Sequence, residues 1–186
     1  LDYRKIVTDL LISTNRLGIE NLIEYLDNNG FYSSPSSCKR HGNYKGGLVI
    51  HSRFVYEILN KLNITFKRNI EQDSVIISAL CHDICKLNFY IEKEKWYKDD
   101  KNKWQSKPGF EIEEIEPMGH GTKSVIILKD FITLKPFETY SILYHMGIPE
   151  NFEQKLWFNT ALKKYPDILL LHMADFMSTA LYEATL

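Results

Sequence analysis

The chain has few cysteines, no excess of charge of either sign and no long apolar run, and each absence removes a class of protein. Three cysteines, Cys38, Cys81 and Cys85, occur in 186 residues. An odd number in a chain of this length argues against a disulfide framework. Cys81 and Cys85 lie one helical turn apart, too few thiols for a cysteine-rich zinc site. They read as reduced, mostly buried side chains. Lys and Arg number 23 against 24 Asp and Glu, a formal net charge of -1. Proteins that grip a long nucleic-acid tract carry a marked basic excess. No such partner is therefore expected, and a small or short substrate is favoured. No stretch is long and apolar enough to span a bilayer, no secretory signal is read at the start, and no repeat or low-complexity segment interrupts the chain. The expectation is a cytoplasmic protein, or one acting in the cytoplasm of an infected host, of unknown oligomeric state.

What is present is an ordinary globular composition, 44% hydrophobic and 25% charged, enough for one core. Apolar spacing predicts one or two helices over residues 2–26, broken near Gly18, and helices over 48–62, 71–87, 122–131, 137–145, 156–164 and 167–186. Residues 31–47, rich in Ser, Gly and Lys, read as an ordered loop. Between Trp96 and Ile115 the helical pattern fails, and two aromatic stretches around a polar turn predict a small β-hairpin. The expected fold is all-α: a single-domain helical bundle over 1–186, with an N-terminal helical segment over 1–30, a core over 31–186 and a hairpin inserted near 96–115.

Five histidines and two aspartates fall where chemistry is possible. His51 lies on the apolar face of its helix. His82-Asp83 are adjacent; neighbours on a helix point roughly 100° apart, yet a pocket between packed helices can take both. His145 shares a face with Ser141 and Ile142. His172 and Asp175 are three residues apart on the last helix. His120 lies between two glycines ahead of a helix, where it can project into a cleft. Any one inward histidine is usually a core residue satisfied by a hydrogen bond. Several inward His and Asp on different helices of one small core are expensive without a cation. Nitrogen and oxygen donors suit iron, manganese, cobalt, nickel, zinc or magnesium.

The ordered set His51, His82-Asp83 and Asp175 resembles the HD superfamily of metal-dependent phosphohydrolases. Gly46-Gly47-Leu48-Val49-Ile50-His51-Ser52, Ala79-Leu80-Cys81-His82-Asp83-Ile84-Cys85-Lys86 and Leu171-His172-Met173-Ala174-Asp175 are similar to the segments that carry its ligands. Cys85 stands where members often have Gly. The similarity spans about Ser33 to Ala180 and is nearest to compact bacterial and phage HD hydrolases, in which Gly-His-Gly and a following Lys-Ser recur. It implies an HD-domain bundle with one metal on His51, His82, Asp83 and Asp175. A second metal would use Asp83, His120 and His145. Met146 stands where some relatives have another His, so the second site is expected to be weaker or vacant. The implied chemistry is hydrolysis of a phosphoester or phosphoanhydride in a nucleotide or short oligonucleotide by metal-activated water.

Asp83 would bridge the ions. Lys86, matching the Lys of an HD-x-x-Lys pattern, would neutralise phosphate, with Lys123 near a helix N-terminus as a further contact. Arg53, His41 and Lys45 flank the first ligand; each reads first as a surface residue and second as lining the pocket mouth, where Arg53 would be a substrate contact. His172 reads either as a partner orienting Asp175 or as a core histidine. Tyr90, Trp96 and Trp104 read first as aromatics packing the hairpin on the bundle, and second as stacking surfaces for a base. Two other functions fit the same ligands: an HD-type di-iron oxygenase, and a non-catalytic nucleotide-sensing module.

Overall fold

Helix α1, Tyr3–Ser13, starts where the Asp2 carboxylate accepts from the Lys5 amide, and α2 spans Ile19–Asn28. Gly18 between them has φ +87°, and a Cβ there would lie 2.0 Å from the Phe131 carbonyl oxygen, so only glycine fits. Arg4 clamps the two helices through a bidentate pair with Asp27 at 2.9 and 2.8 Å. The segment expected as one or two helices is thus two. The computed structural model describes residues 1–38, 42–113 and 117–182. His41 lies outside the described residues, as do Ile115 and the end of the last expected helix.

Helix α3, Gly47–Thr65, carries its buried face on Leu48, His51, Val55, Ile58 and Leu59. Gly47 lies so close to Gly42 that a Cβ would meet the Gly42 carbonyl oxygen at 2.2 Å. Helix α4, Gln72–Cys81, is buried at every position from Ser74 to Cys81. A helix apolar all round belongs at the centre of a bundle, and α4 packs against α1, α3 and the helix at 136–143.

The apolar run past Cys81 predicts a helix to Leu87, but the α-helix ends there. Asp83 leaves the helical region at φ -106°, ψ 21°, and a short 3-10 turn, Ile84–Lys86, follows. Strands β1, Tyr90–Lys98, and β2, Trp104–Ile112, form the hairpin with Tyr90 opposite Ile112 and Lys98 opposite Trp104. It begins earlier in the chain than its aromatic residues indicate. Asp99 closes the turn by accepting from the Lys101 and Lys103 amides, both at 2.9 Å.

Phe110 at the inner end is buried, whereas Trp96 and Trp104 are 64% and 63% exposed. These two tryptophans therefore do not pack the hairpin on the bundle; it projects, and Trp104 is covered in part by the Lys98 ammonium at 5.3 Å.

Helices α5, His120–Lys129, α6, Pro136–Leu143, α7, Phe152–Lys164, and α8, Leu169–Met177, complete eight α-helices among the described residues. A π-helical turn, Ser178–Tyr182, follows α8. The result is mostly helical with one two-stranded antiparallel sheet. One hydrophobic cluster takes in Val7 and Leu11 of α1, Leu22 and Leu26 of α2, Leu59 of α3, Leu80 of α4, Leu128 of α5, Ile142 of α6 and Leu171 of α8. The N-terminal helices are thus part of the same core. None of the described helices is long and apolar enough to cross a membrane.

Candidate metal centre

Four elements meet at the floor of a cleft of about 420 Å³. His51 comes from the inner face of α3, His82 and Asp83 from the break after α4, His145 from just beyond α6, and Asp175 from α8. The break after α4 answers the geometric difficulty of adjacent ligands. Because Asp83 is no longer helical, both side chains reach the same space.

His51 Nε2 lies 3.2 Å from His82 Nε2, 3.2 Å from Asp175 Oδ1 and 3.7 Å from Asp83 Oδ2. His82 Nε2 is 3.4 Å from Asp83 Oδ2, and His145 Nε2 is 3.5 Å from Asp83 Oδ1. Two overlapping triads, His51–His82–Asp83 and His82–His145–Asp175, each keep their donor atoms within 4.8 Å. His145 therefore joins the same centre as His82. The sequence resemblance instead set it apart with His120. The His82 and His145 rings are 5.0 Å apart between centroids, because α6 packs on both α4 and α8.

The backbone fixes which ring nitrogens face the centre. His82 Nδ1 is 2.9 Å from the Ala79 carbonyl oxygen and His145 Nδ1 is 2.7 Å from that of Ile142. A carbonyl only accepts, so each Nδ1 carries the proton, and in the neutral ring Nε2 presents a lone pair. This carbonyl tether is the arrangement found behind metal-bound imidazoles. His145 Nε2 and Asp83 Oδ1 are both buried and neither has a hydrogen-bond partner. Two facing lone pairs repel, and unmet buried polar atoms cost about 1–3 kcal/mol each. A proton or a cation between them removes the conflict. The donor set fits a divalent metal ion.

The charges agree. Burial would raise the Asp83 carboxyl, but Lys86, His82 and His145 outweigh it and hold it well below the ordinary carboxylate range. Asp175 is likewise lowered against its burial, chiefly by His51 and by the charge of His82. Burial pushes the His145 imidazole down, and the facing Asp83 carboxylate more than reverses this. The Lys86 ammonium, almost buried, sits 2.6 Å from Asp83 Oδ2.

The remaining expected residues are spread more widely. His120 lies on the cleft wall outside both triads, with Nδ1 3.5 Å from Cys85 Sγ. His172 also lines the cleft, but its Nδ1 is bonded to the His145 carbonyl at 2.7 Å. It steadies the backbone behind one ligand rather than orienting Asp175. Arg53 is not brought into the cleft: it pairs with Glu57 one turn along α3, and its guanidinium lies 5.8 Å from the ring centroids of Tyr3 and Phe54. Lys123 likewise does not line the cleft; its ammonium lies 6.0 Å from the Phe89 ring centroid. Lys45 is tied to Glu92 of β1 at 2.7 Å. Sequence reasoning did not single out Ser36, Ser37, Phe176 or Thr179, all of which line the cleft. Helical spacing puts Thr179 on one face with Asp175 but gives it no role there.

Burial pushes the Cys81 and Cys85 thiols up to about 12. Ellman's reagent at pH 8 is expected to label one thiol rapidly in the native protein, that of the partly exposed Cys38, and all three in denaturant. Two fast thiols in the native protein would mean that the wall around Cys85 opens.

No family model matches the chain, and no curated protein and no solved structure matches it.

Proposed function

We propose that the protein is a metal-dependent phosphohydrolase of the HD type. Its substrate would be a nucleotide or short oligonucleotide, and the bond cleaved a phosphoester or phosphoanhydride. The observation that carries this reading is the cluster of His51, Asp83, His145 and Asp175 on one cleft floor with His82 buried just beneath, two backbone-fixed imidazoles aimed at a carboxylate and Lys86 beside it. These residues would hold a divalent ion such as iron, manganese, cobalt, nickel, zinc or magnesium. Such an ion supplies Lewis-acid activation of water and of a phosphoryl oxygen.

The chain's own groups divide the remaining work. Asp83 and Asp175 bring negative charge to the centre. Lys86 can turn from the carboxylate toward an incoming phosphate and neutralise its equatorial oxygens. Burial pushes the Tyr90 phenol up to about 12, so near neutral pH it keeps its proton and can donate from the cleft wall. A cleft of this size suits a small phosphorylated substrate.

The test is a panel of mono-, di-, tri-, cyclic and dinucleotides and short oligonucleotides, incubated with added manganese or iron and read by mass spectrometry. Metal-dependent cleavage is expected. Lys86→Met should retain metal and lower kcat/KM by about 10²-fold, the scale of one electrostatic transition-state contact. No turnover by metal-replete protein would sink the hydrolase reading in favour of oxygen chemistry or nucleotide sensing.

A further inference from the structure

A second cavity of about 390 Å³ abuts the cleft, and the two share His120 and Met146 in their linings. It is built differently. The floor of the first is charged and carries the ligand cluster. The second is walled by Met146, Tyr144, Ile148 and Trp157, with the Gln154 amide at its edge. Met146, Ile148 and Trp157 are 65%, 64% and 54% exposed, an unusual concentration of apolar surface at one mouth. Tyr144 is held from behind by the buried Phe158, at 5.2 Å between ring centroids. In the loop between α6 and α7, Gly147 takes φ +98°, and a Cβ there would come within 2.9 Å of the His172 ring, so the loop packs this close to α8 only with glycine.

We infer that this second cavity is the subsite for a flat, weakly polar ring on the organic half of the substrate, stacked on Trp157 while the phosphate occupies the cleft. The assignment of the phosphate end rests on the phosphohydrolase reading; the ring subsite rests on its own lining. His120 and Met146 line both spaces, so the two adjoin, and a small molecule with a charged end and a flat apolar end is the occupant that matches both linings. A concave space with mostly apolar walls and a few polar side chains, His120, Thr122 and Gln154, suits a small ligand. Ring stacking tolerates many ring types, and flexible methionines adapt to them. The subsite therefore selects for an aromatic leaving or retained group rather than for one base.

The probe is 1-naphthyl phosphate, with inorganic phosphate as the ringless comparison. The full chain, with magnesium added, is titrated while the three tryptophan indole N–H signals are followed by NMR, Trp157→Phe supplying the assignment. 1-Naphthyl phosphate is expected to move the Trp157 signal and leave Trp96 and Trp104 in place; inorganic phosphate should move none of the three. Trp157→Ala should weaken naphthyl phosphate by about tenfold, with Trp157→Phe recovering most of the loss and phosphate affinity unchanged.

The inference is overturned if naphthyl phosphate fails to bind, if it binds without moving Trp157, or if Trp157→Ala binds it as tightly as the parent. A Trp157 signal that shifts with protein concentration alone would assign the surface to a second copy of the chain and overturn it equally. The two proposals fail separately. Ring binding at Trp157 without cleavage of any phosphoester sinks the hydrolase reading alone. Cleavage of naphthyl phosphate with an unchanged KM in Trp157→Ala sinks the subsite alone.

Discussion

Asp83→Ala is expected to lose bound metal and phosphohydrolase activity together. The Asp83 carboxylate lies beside three of the other ligands and also holds Lys86. Oδ2 lies near His51, His82 and Lys86, and Oδ1 faces His145. Removing a group that merely orients a ligand costs 10–100-fold in metal affinity or activity, so deleting a ligand should cost more than about 100-fold in each. The substitution also strands Lys86, whose pKa is raised despite its burial because Asp83 faces it. A stranded buried cation lowers stability for a reason unrelated to metal, so Asp83→Asn is the companion variant, keeping the volume and removing the charge. Metal content by elemental analysis and turnover on the nucleotide panel should fall in both variants, with circular dichroism verifying the fold. An Asp83→Asn protein that retained full metal and full turnover would remove Asp83 from the centre and, with it, the proposed function.

The sequence made the ligand candidates visible for a physical reason. An inward His or Asp interrupts an apolar face, and α3 and α8 keep their helical period through His51 and Asp175. Their grouping was less legible. Glu71 to Leu87 reads as an unbroken helix because its hydrophobicity continues past Cys81, whereas the backbone turns at Asp83. That turn lets adjacent side chains share one site. Apolar spacing makes His145 the last residue of a helix, but α6 ends at Leu143 and the ring is tied back to the Ile142 carbonyl, which aims it at Asp83 rather than along a helix face.

The hairpin was located by its tryptophans and began earlier because Tyr90 to Lys98 alternates Glu and Lys. A strand exposed on both faces has no apolar period to read. Arg53 and Lys123 looked like substrate contacts from proximity in sequence. Local packing of charge against Glu57 and of cation against the Phe89 ring lies outside what spacing conveys.

Arg16 drew no notice in the sequence, lying in the polar connection between α1 and α2, yet Arg16→Ala is expected to be the most destabilising single change at a charged residue away from the metal centre. Its guanidinium holds both oxygens of Glu138 at 2.7 and 2.6 Å, with Asp73 and the Thr133 carbonyl each at 3.2 Å. Glu138, 122 residues away, is fully buried and also accepts from Ser74 Oγ and the Lys135 amide, both at 2.7 Å. Breaking a buried pair from one side leaves an uncompensated charge and costs about 3–5 kcal/mol. For a chain of this size that lowers Tm by about 10 °C.

Arg16→Ala combined with Glu138→Leu removes both charges and should recover much of the loss, since buried pairs are often replaceable by apolar groups of similar volume. Acid sensitivity supplies an independent reading of the same network. Burial alone would raise the Asp73 carboxyl, but Lys135, the Ser74 amide and Arg16 outweigh it and hold it below its ordinary value. A lowered folded pKa gives stability that is fully present above the unfolded value of about 3.9 and is lost as the pH falls through the folded value. Asp73→Asn should therefore flatten the acid limb of Tm against pH while leaving its neutral shape intact. A drop of under about 1 kcal/mol in Arg16→Ala, the range of exposed ion pairs, would mean that water reaches Glu138 and that the N-terminal helices are not anchored through this charge.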